Sequence, residues 1–336
     1  MTARASLSRR GVGLALILAV LVLALALSVS VGSRPIPLGD VWSLVWHPDG
    51  SDNAIIVHDL RVPRTVLGLL VGAALGIAGA LMQAMTRNPL ADPGLLGVNA
   101  GAAAAVVTAT VLLGSVAPLG YIGFAFLGAA VVSVLVYGIG AAGRSGATPV
   151  RLALAGTAVS FALIAYVQGL TLIDREALDQ YRFWQVGALA GHPASLNLQI
   201  APFIAGGLLL AFALGRSLNP IGLGDDAGRG LGANPGRTRA LGAVAITLLC
   251  GAATAAAGPI AFIGLTVPHV ARAITGPDQR WVLPYSALLA CVMLLGADVL
   301  GRVVNRPGEL EVGIVSAVVG APVFIAIVRQ RRIAQL

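Results

Sequence analysis

Residues Thr65–Ala84 read TVLGLLVGAALGIAGALMQA, twenty consecutive positions without a charge, and this stretch decides the fold. Its length is what an α-helix needs to cross the ~30 Å hydrocarbon core of a bilayer. Glycine recurs every fourth residue at Gly68, Gly72 and Gly76, and Gly79 extends the same small face. Such a stripe lets helices approach closely where lipid supplies no hydrophobic drive for association. Two uses follow from it, a contact between subunits or close packing inside one many-span chain, and the second is the commoner.

The rest of the chain agrees with that reading. Of 336 residues, 57% are hydrophobic and only 11% charged, and 43 more are glycine. A soluble domain carries about 25% charged residues, so this chain cannot cover a water-facing surface. Disorder and a small disulfide scaffold are excluded by the same numbers. All 22 basic residues are arginine, which excludes a lysine-dependent phosphate loop, a Schiff-base nucleophile and a kinase-type phosphate lysine. If the process needs ATP, another subunit hydrolyses it.

A window of about 19 residues divides the chain into apolar blocks. Eight are long: Gly11–Val31, Thr65–Ala84, Pro118–Ala142, Val150–Leu172, Leu198–Leu214, Ala240–Ala257, Trp281–Gly301 and Leu310–Val328. Val98–Leu113 and Ile260–Ala273 are shorter, with re-entrant segments as the alternative. The first block follows Arg9 and Arg10 and resembles a cleavable signal, but its apolar run exceeds the ~7–15 residues of a signal core, so we read it as a span. The expected fold is all-α, a polytopic membrane protein of about ten transmembrane helices forming one domain over residues 1–336.

Arginines are retained on the cytoplasmic side, so their distribution orients the spans. With the N-terminus inside, fifteen arginines fall on inner segments, among them Arg87, Arg144, Arg216, Arg229, Arg239, Arg272, Arg331 and Arg332. Counting acids as well leaves +11 inside and −3 outside, the whole being the net +8 of the chain. Ten spans with both termini cytoplasmic satisfy this asymmetry. The basic character then reflects topology and requires no nucleic acid.

The membrane interior offers little chemistry. Asp298 lies near the outer end of the ninth span, four residues before Arg302, a spacing suited to a helical ion pair. Proton- or cation-coupled transporters carry acids and histidines at mid-depth, so a secondary transporter is disfavoured, and so is a membrane-embedded enzyme. Cys250 and Cys291 lack metal or redox spacing, and His47, His58, His192 and His269 are scattered, so no metal site or bound cofactor is expected in this chain.

Four local patterns are more specific. Arg61-Val62-Pro63-Arg64-Thr65 opens the second span, which ends at Gln83 and the turn Arg87-Asn88-Pro89-Leu90-Ala91-Asp92-Pro93-Gly94. Gly258-Pro259-Ile260-Ala261-Phe262 runs into Val267-Pro268-His269-Val270-Ala271-Arg272. Gly296-Ala297-Asp298 precedes Arg302, Glu309 and Gly320-Ala321-Pro322, and an inner loop holds Gly224-Asp225-Asp226-Ala227 followed by Leu231-Gly232.

In this order the patterns resemble the FecCD/BtuC-type permeases, the membrane subunits of ABC importers for ferric siderophores, haem and cobalamin, from about Asp40 to the C-terminus. The resemblance implies a type II importer permease of the inner membrane that makes no covalent chemistry. It implies a second permease subunit, identical or paralogous, two cytoplasmic ATPases that bind the ATP and magnesium, and one external substrate-binding protein. Ferric siderophores are the expected cargo, with cobalamin or haem as the alternative. By the same resemblance Arg61, Arg64 and Arg302 would hold carboxylates of the binding protein, a task suited to the planar guanidinium. The loop 216–239, with Gly224, Asp225, Asp226, Ala227, Leu231 and Gly232, would couple to the ATPase, and Gly228 and Gly230 weaken its helicity. Asn88 and Leu90 would form part of the cytoplasmic gate. Its other part would include Pro149 and Val150, although small polar residues are expected where Thr148-Pro149-Val150 stands. Thr157, Ser160 and Gln168 would line the path, with packing between helices as the alternative for Gln168.

Overall fold

The computed structural model describes residues 2–114, 118–142 and 148–329, and the regular structure among them is helical throughout. Arg144, Arg331 and Arg332 lie outside the described residues. Fourteen α-helices are formed: α1 (Thr2–Ser30), α2 (Leu38–Trp46), α3 (Asp52–Ile55), α4 (Val62–Thr86), α5 (Val98–Leu113), α6 (Pro118–Ala141), α7 (Pro149–Ile173), α8 (Arg175–Val186), α9 (Ala194–Gly222), α10 (Asp225–Gly230), α11 (Pro235–Ala257), α12 (Ile263–Thr275), α13 (Gln279–Val304) and α14 (Val312–Arg329). Each of the ten apolar blocks of the sequence thus forms a helix over most of its length. We call the end of the bundle where α1 starts the near end, and the end where it stops the far end.

Helix α4 is the hub, because its glycine stripe lets neighbours reach its backbone. It packs against α13, α11, α9 and α12. A Cβ on Gly72 would lie 2.8 Å from the Cα of Cys291, and one on Gly68 would meet the Leu295 side chain at 2.6 Å. At Gly79 the neighbour is α12, where the Cα of Gly264 would stand 2.6 Å from an added Cβ. The stripe thus serves packing within the chain. Helices α5 and α6 cross equally closely at Gly101 and Gly128, and with α7 they form a second group leaning on the hub through α11.

Among the described residues, seven helices are long and apolar enough to cross a membrane, and two shorter apolar ones, Val98–Leu113 and Val312–Ala326, add to them. Helix α12 has 13 residues, roughly 20 Å of rise, too little to cross alone. It is tolerated because most of its residues are buried against α4 and α13, where protein and not lipid meets the frayed backbone.

Several boundaries move. The eighth apolar block begins as helix only at Ile263, because Gly258, at φ +70°, stops α11, Pro259 lacks a donor, and Phe262 adopts φ +67°. Helix α9 continues beyond Leu214 to Gly222, through Pro220. The far-end loops hold structure that hydropathy does not signal. Helices α2 and α8 form there, and α3 runs through a wide π turn at Ile56–Arg61 directly into α4.

Candidate functional site

The far end is organised by arginines. A helix leaves its last carbonyls without intrahelical donors, and guanidinium groups can supply them. Here α1 ends under three such groups. Arg61 donates from Nη1 to the carbonyls of Ser30 (2.8 Å) and Val29 (3.2 Å) and from Nη2 to that of Arg34 (2.7 Å). Arg302 donates to the carbonyls of Ser28 (2.7 Å) and Val31 (3.0 Å), and Arg306 to that of Gly32 (3.0 Å).

The Asp298–Arg302 pair anticipated from spacing is present, and Arg64 joins it. Arg64 Nη2 lies 2.7 Å from Asp298 Oδ1, and its Nη1 lies 2.6 Å from Glu309 Oε2. Burial opposes the Glu309 carboxylate, but the Arg64 hydrogen bond and the charges of Arg64 and Arg302 hold it below its ordinary range. The structure thus brings Arg61, Arg64 and Arg302 together around one cleft of about 290 Å³, with Arg34, His192 and Glu309 also on its wall. Their placement differs from outward-reaching arginines: Arg61 is 4% and Arg302 1% exposed, because the orphan carbonyls of α1 take their donors. Exposed Arg34 stands at the rim.

At the near end, α10 follows α9 after a turn at Gly224, whose φ of +106° favours glycine. The predicted glycine-weakened segment is helical. Gly228 packs closely there, since a Cβ would meet the Pro220 carbonyl oxygen at 3.2 Å. Asp225 receives a two-pronged contact from Arg239, at 2.8 and 2.7 Å, which fastens α10 to the first turn of α11. Asp226, Ala227, Leu223 and Leu231 face outward, the two leucines 70% and 65% exposed, so this end presents an apolar surface bordered by charge. Gly232, at φ +82°, closes the loop. Nearby, Asp278 caps α13, and the hydrogen bond from Arg280 lowers its pKa to about 2.

The proposed gate residues lie on two elements. Asn88 Oδ1 accepts from the Leu90 N–H at 2.9 Å, shaping the turn after α4, and Leu90 is exposed. His269 of α12 donates from Nε2 to the Pro89 carbonyl at 2.7 Å, pinning that turn; sequence reading left this histidine without a role. On α7, Thr148 caps the helix and Pro149 occupies its first turn, which explains why these types stand there. Val150, Leu154, Thr157, Phe161, Gln168 and Leu172 fall on one exposed stripe at helical spacing. Ser160 lies beside it, half-buried, in a 220 Å³ pocket with Asn99, Tyr181 and Gln185. The described residues cover little of α7, 22% of its apolar window, as of α1, against 78% for Asp52–Thr86. Among the described residues, no group of histidine, cysteine or carboxylate is placed to hold a metal ion.

Residues 20–330 match the FecCD transport family. The chain is 46% identical over 301 residues to the ferric enterobactin transport system permease protein FepD of Escherichia coli strain K12, covering 89% of this chain and 90% of that one. It is 40% identical over 296 residues to a siderophore transport system permease protein of Bacillus subtilis strain 168, YfiZ, covering 87% and 89%. Among solved structures, a transporter described as of metal-chelate ABC type, in an inward-facing conformation, superposes with a TM-score of 0.82 at 24% identity, covering 94% of this chain and 97% of that one.

Proposed function

The chain belongs to the FecCD transport family, and on that premise we propose that it is the membrane permease of a binding-protein-dependent ABC importer for ferric siderophores. The observation that carries this reading is a tightly packed hub beside a helix, α7, whose exposed stripe carries Thr157 and Gln168 and is left open by the described residues. A second permease facing that stripe would complete a wide, weakly charged path, suited to a bulky chelate that must pass without being held. The near end is then cytoplasmic, as the arginine count requires, and both termini lie there. Two ATPase subunits serve the permease pair, one seating on the α10 of each, with Leu223 and Leu231 entering an apolar groove, and ATP and magnesium remain in those subunits.

The far-end cleft faces the substrate-binding protein. Arg34 and Arg64 meet its carboxylates, while Arg61 and Arg302 hold the frame that positions them. Asn88, Leu90, Pro149 and Val150 close the near end of the path, and Thr157, Ser160 and Gln168 line it. Similarity to a ferric enterobactin permease supports the choice of cargo.

The test is reconstitution of the permease with its ATPase in vesicles, followed by uptake of radioactive iron delivered as a siderophore complex by the binding protein. Uptake should require ATP and stop with vanadate. Uptake that continues with vanadate and stops when the proton gradient is collapsed would overturn the reading.

A further inference from the structure

We infer that Arg87 is a positioning residue that ties the coupling helix α10 to the gate turn after α4. Arg87 is the first residue beyond α4 and sits in the left-handed region, at φ 51° and ψ 32°. Glycine is the usual occupant of that position at a helix end, because a side chain there is disfavoured. The side chain present is used. Its Nη2 lies 3.7 Å from Asp225 Oδ1, and its Nη1 lies 3.4 Å from where a Cβ on Gly224 would stand. The guanidinium therefore rests on the first residues of α10, in space that Gly224 leaves open. Asp225 is itself fixed by Arg239, whose two hydrogen bonds hold the carboxylate ionised below its ordinary range despite partial burial, with the charges of Arg239 and Arg87 adding to them.

The consequence is mechanical. The residues next to Arg87 are Asn88-Pro89-Leu90, and the Pro89 carbonyl is held by His269 of α12 at 2.7 Å. The turn is thus anchored to α12 on one side and to α10 on the other. A displacement of α10 relative to α12 pulls on one anchor while the other holds, and so reshapes the turn. The contact, 3.7 Å between side chains 37% and 28% exposed, is an ion pair without a formed hydrogen bond. Such a pair adds little to stability, so removing it leaves the fold in place.

The inference rests on the reading of α10 as the ATPase contact, and the experiment separates the two. In the reconstituted complex, Arg87→Gln should co-purify with the ATPase and hydrolyse ATP, while iron delivered per ATP falls by roughly threefold or more. Arg87→Lys, which keeps the charge, should recover part of that loss. Arg280→Gln, which removes an exposed arginine at the same end paired only with Asp278, should leave the ratio unchanged. An unchanged ratio in Arg87→Gln, or Arg87→Lys as poor as Arg87→Gln, overturns the link while the importer reading stands. Loss of ATPase binding in Arg87→Gln also overturns it, because Arg87 would then contact the ATPase directly. If the unaltered permease retains no ATPase, the reading of α10 fails and the link with it.

Discussion

Replacing Gly79 by alanine tests whether close approach of α4 and α12 organises the near end. The added Cβ would stand 2.6 Å from the Gly264 Cα and 2.5 Å from its carbonyl carbon, with the carbonyl oxygen nearer still. Carbon atoms rest at about 3.5–4.0 Å, so the two backbones must part by roughly 1 Å. No flexible side chain can yield in their place. Overpacking of this kind costs about 1–3 kcal/mol, against which alanine recovers about 0.5–1 kcal/mol of helix propensity. The net loss, centred on about 1 kcal/mol, lowers the unfolding midpoint by roughly 1–3 °C in a chain of this size. Gly206 on α9 provides the matched control, since an added Cβ meets nothing within 4 Å there. Gly206→Ala should unfold at the same temperature as the unaltered protein or slightly higher. Because α12 carries His269, the displacement should also loosen its 2.7 Å bond to Pro89 and reduce uptake. The assay is thermal unfolding of the purified permease in detergent, with uptake in vesicles alongside. A Gly79→Ala protein that matches Gly206→Ala in both would refute the reasoning.

At the far end, Asp298→Asn leaves Arg64 and Arg302 without their shared charge in a site where Asp298 and Arg302 are each about 1% exposed, a loss of about 3 kcal/mol. Glu309→Gln removes a partner that is 27% exposed and should cost no more than about 1 kcal/mol; equal unfolding midpoints for the two would contradict the network. Asp278 contributes stability above its unfolded pKa of about 3.9 and loses it as pH falls toward about 2, since its folded value is depressed. Acid unfolding followed by fluorescence should show a decline between those values that Asp278→Asn lacks.

How far the sequence reveals this molecule depends on the distance over which each feature is decided. Val98–Leu113 appears with the same limits in sequence and structure because Gly97 and Gly114, both at positive φ, mark its ends locally. Helix α8 escapes a hydropathy window because REALDQYRFWQV is polar, yet Asp174, accepting from the Ala177 N–H, was a readable start signal. The glycine stripe of α4 is legible as a face of close approach, but nothing within it names α13 and α12 as partners. Arg61 and Arg302 are legible as out of place among far-end charges. Their destination is not, because it is set by the carbonyls of Ser28 and Ser30, 274 and 31 residues away.

That same difference in packing explains how the parts divide the work. Backbones in glycine contact cannot slide without losing the fit that holds them, so α4, α12 and α13 move as one body. Helix α7 packs mainly on α5, α6 and the segment Pro93–Leu96, where Gly156 lets it reach the Leu95 carbonyl, and leaves its stripe from Val150 to Leu172 open. Helix α7 thus meets the hub chiefly at the near end, through the segment that follows the turn after α4. Arg87, 3.7 Å from Asp225, stands between α10 and the turn after α4, where a movement of either would be felt by the other.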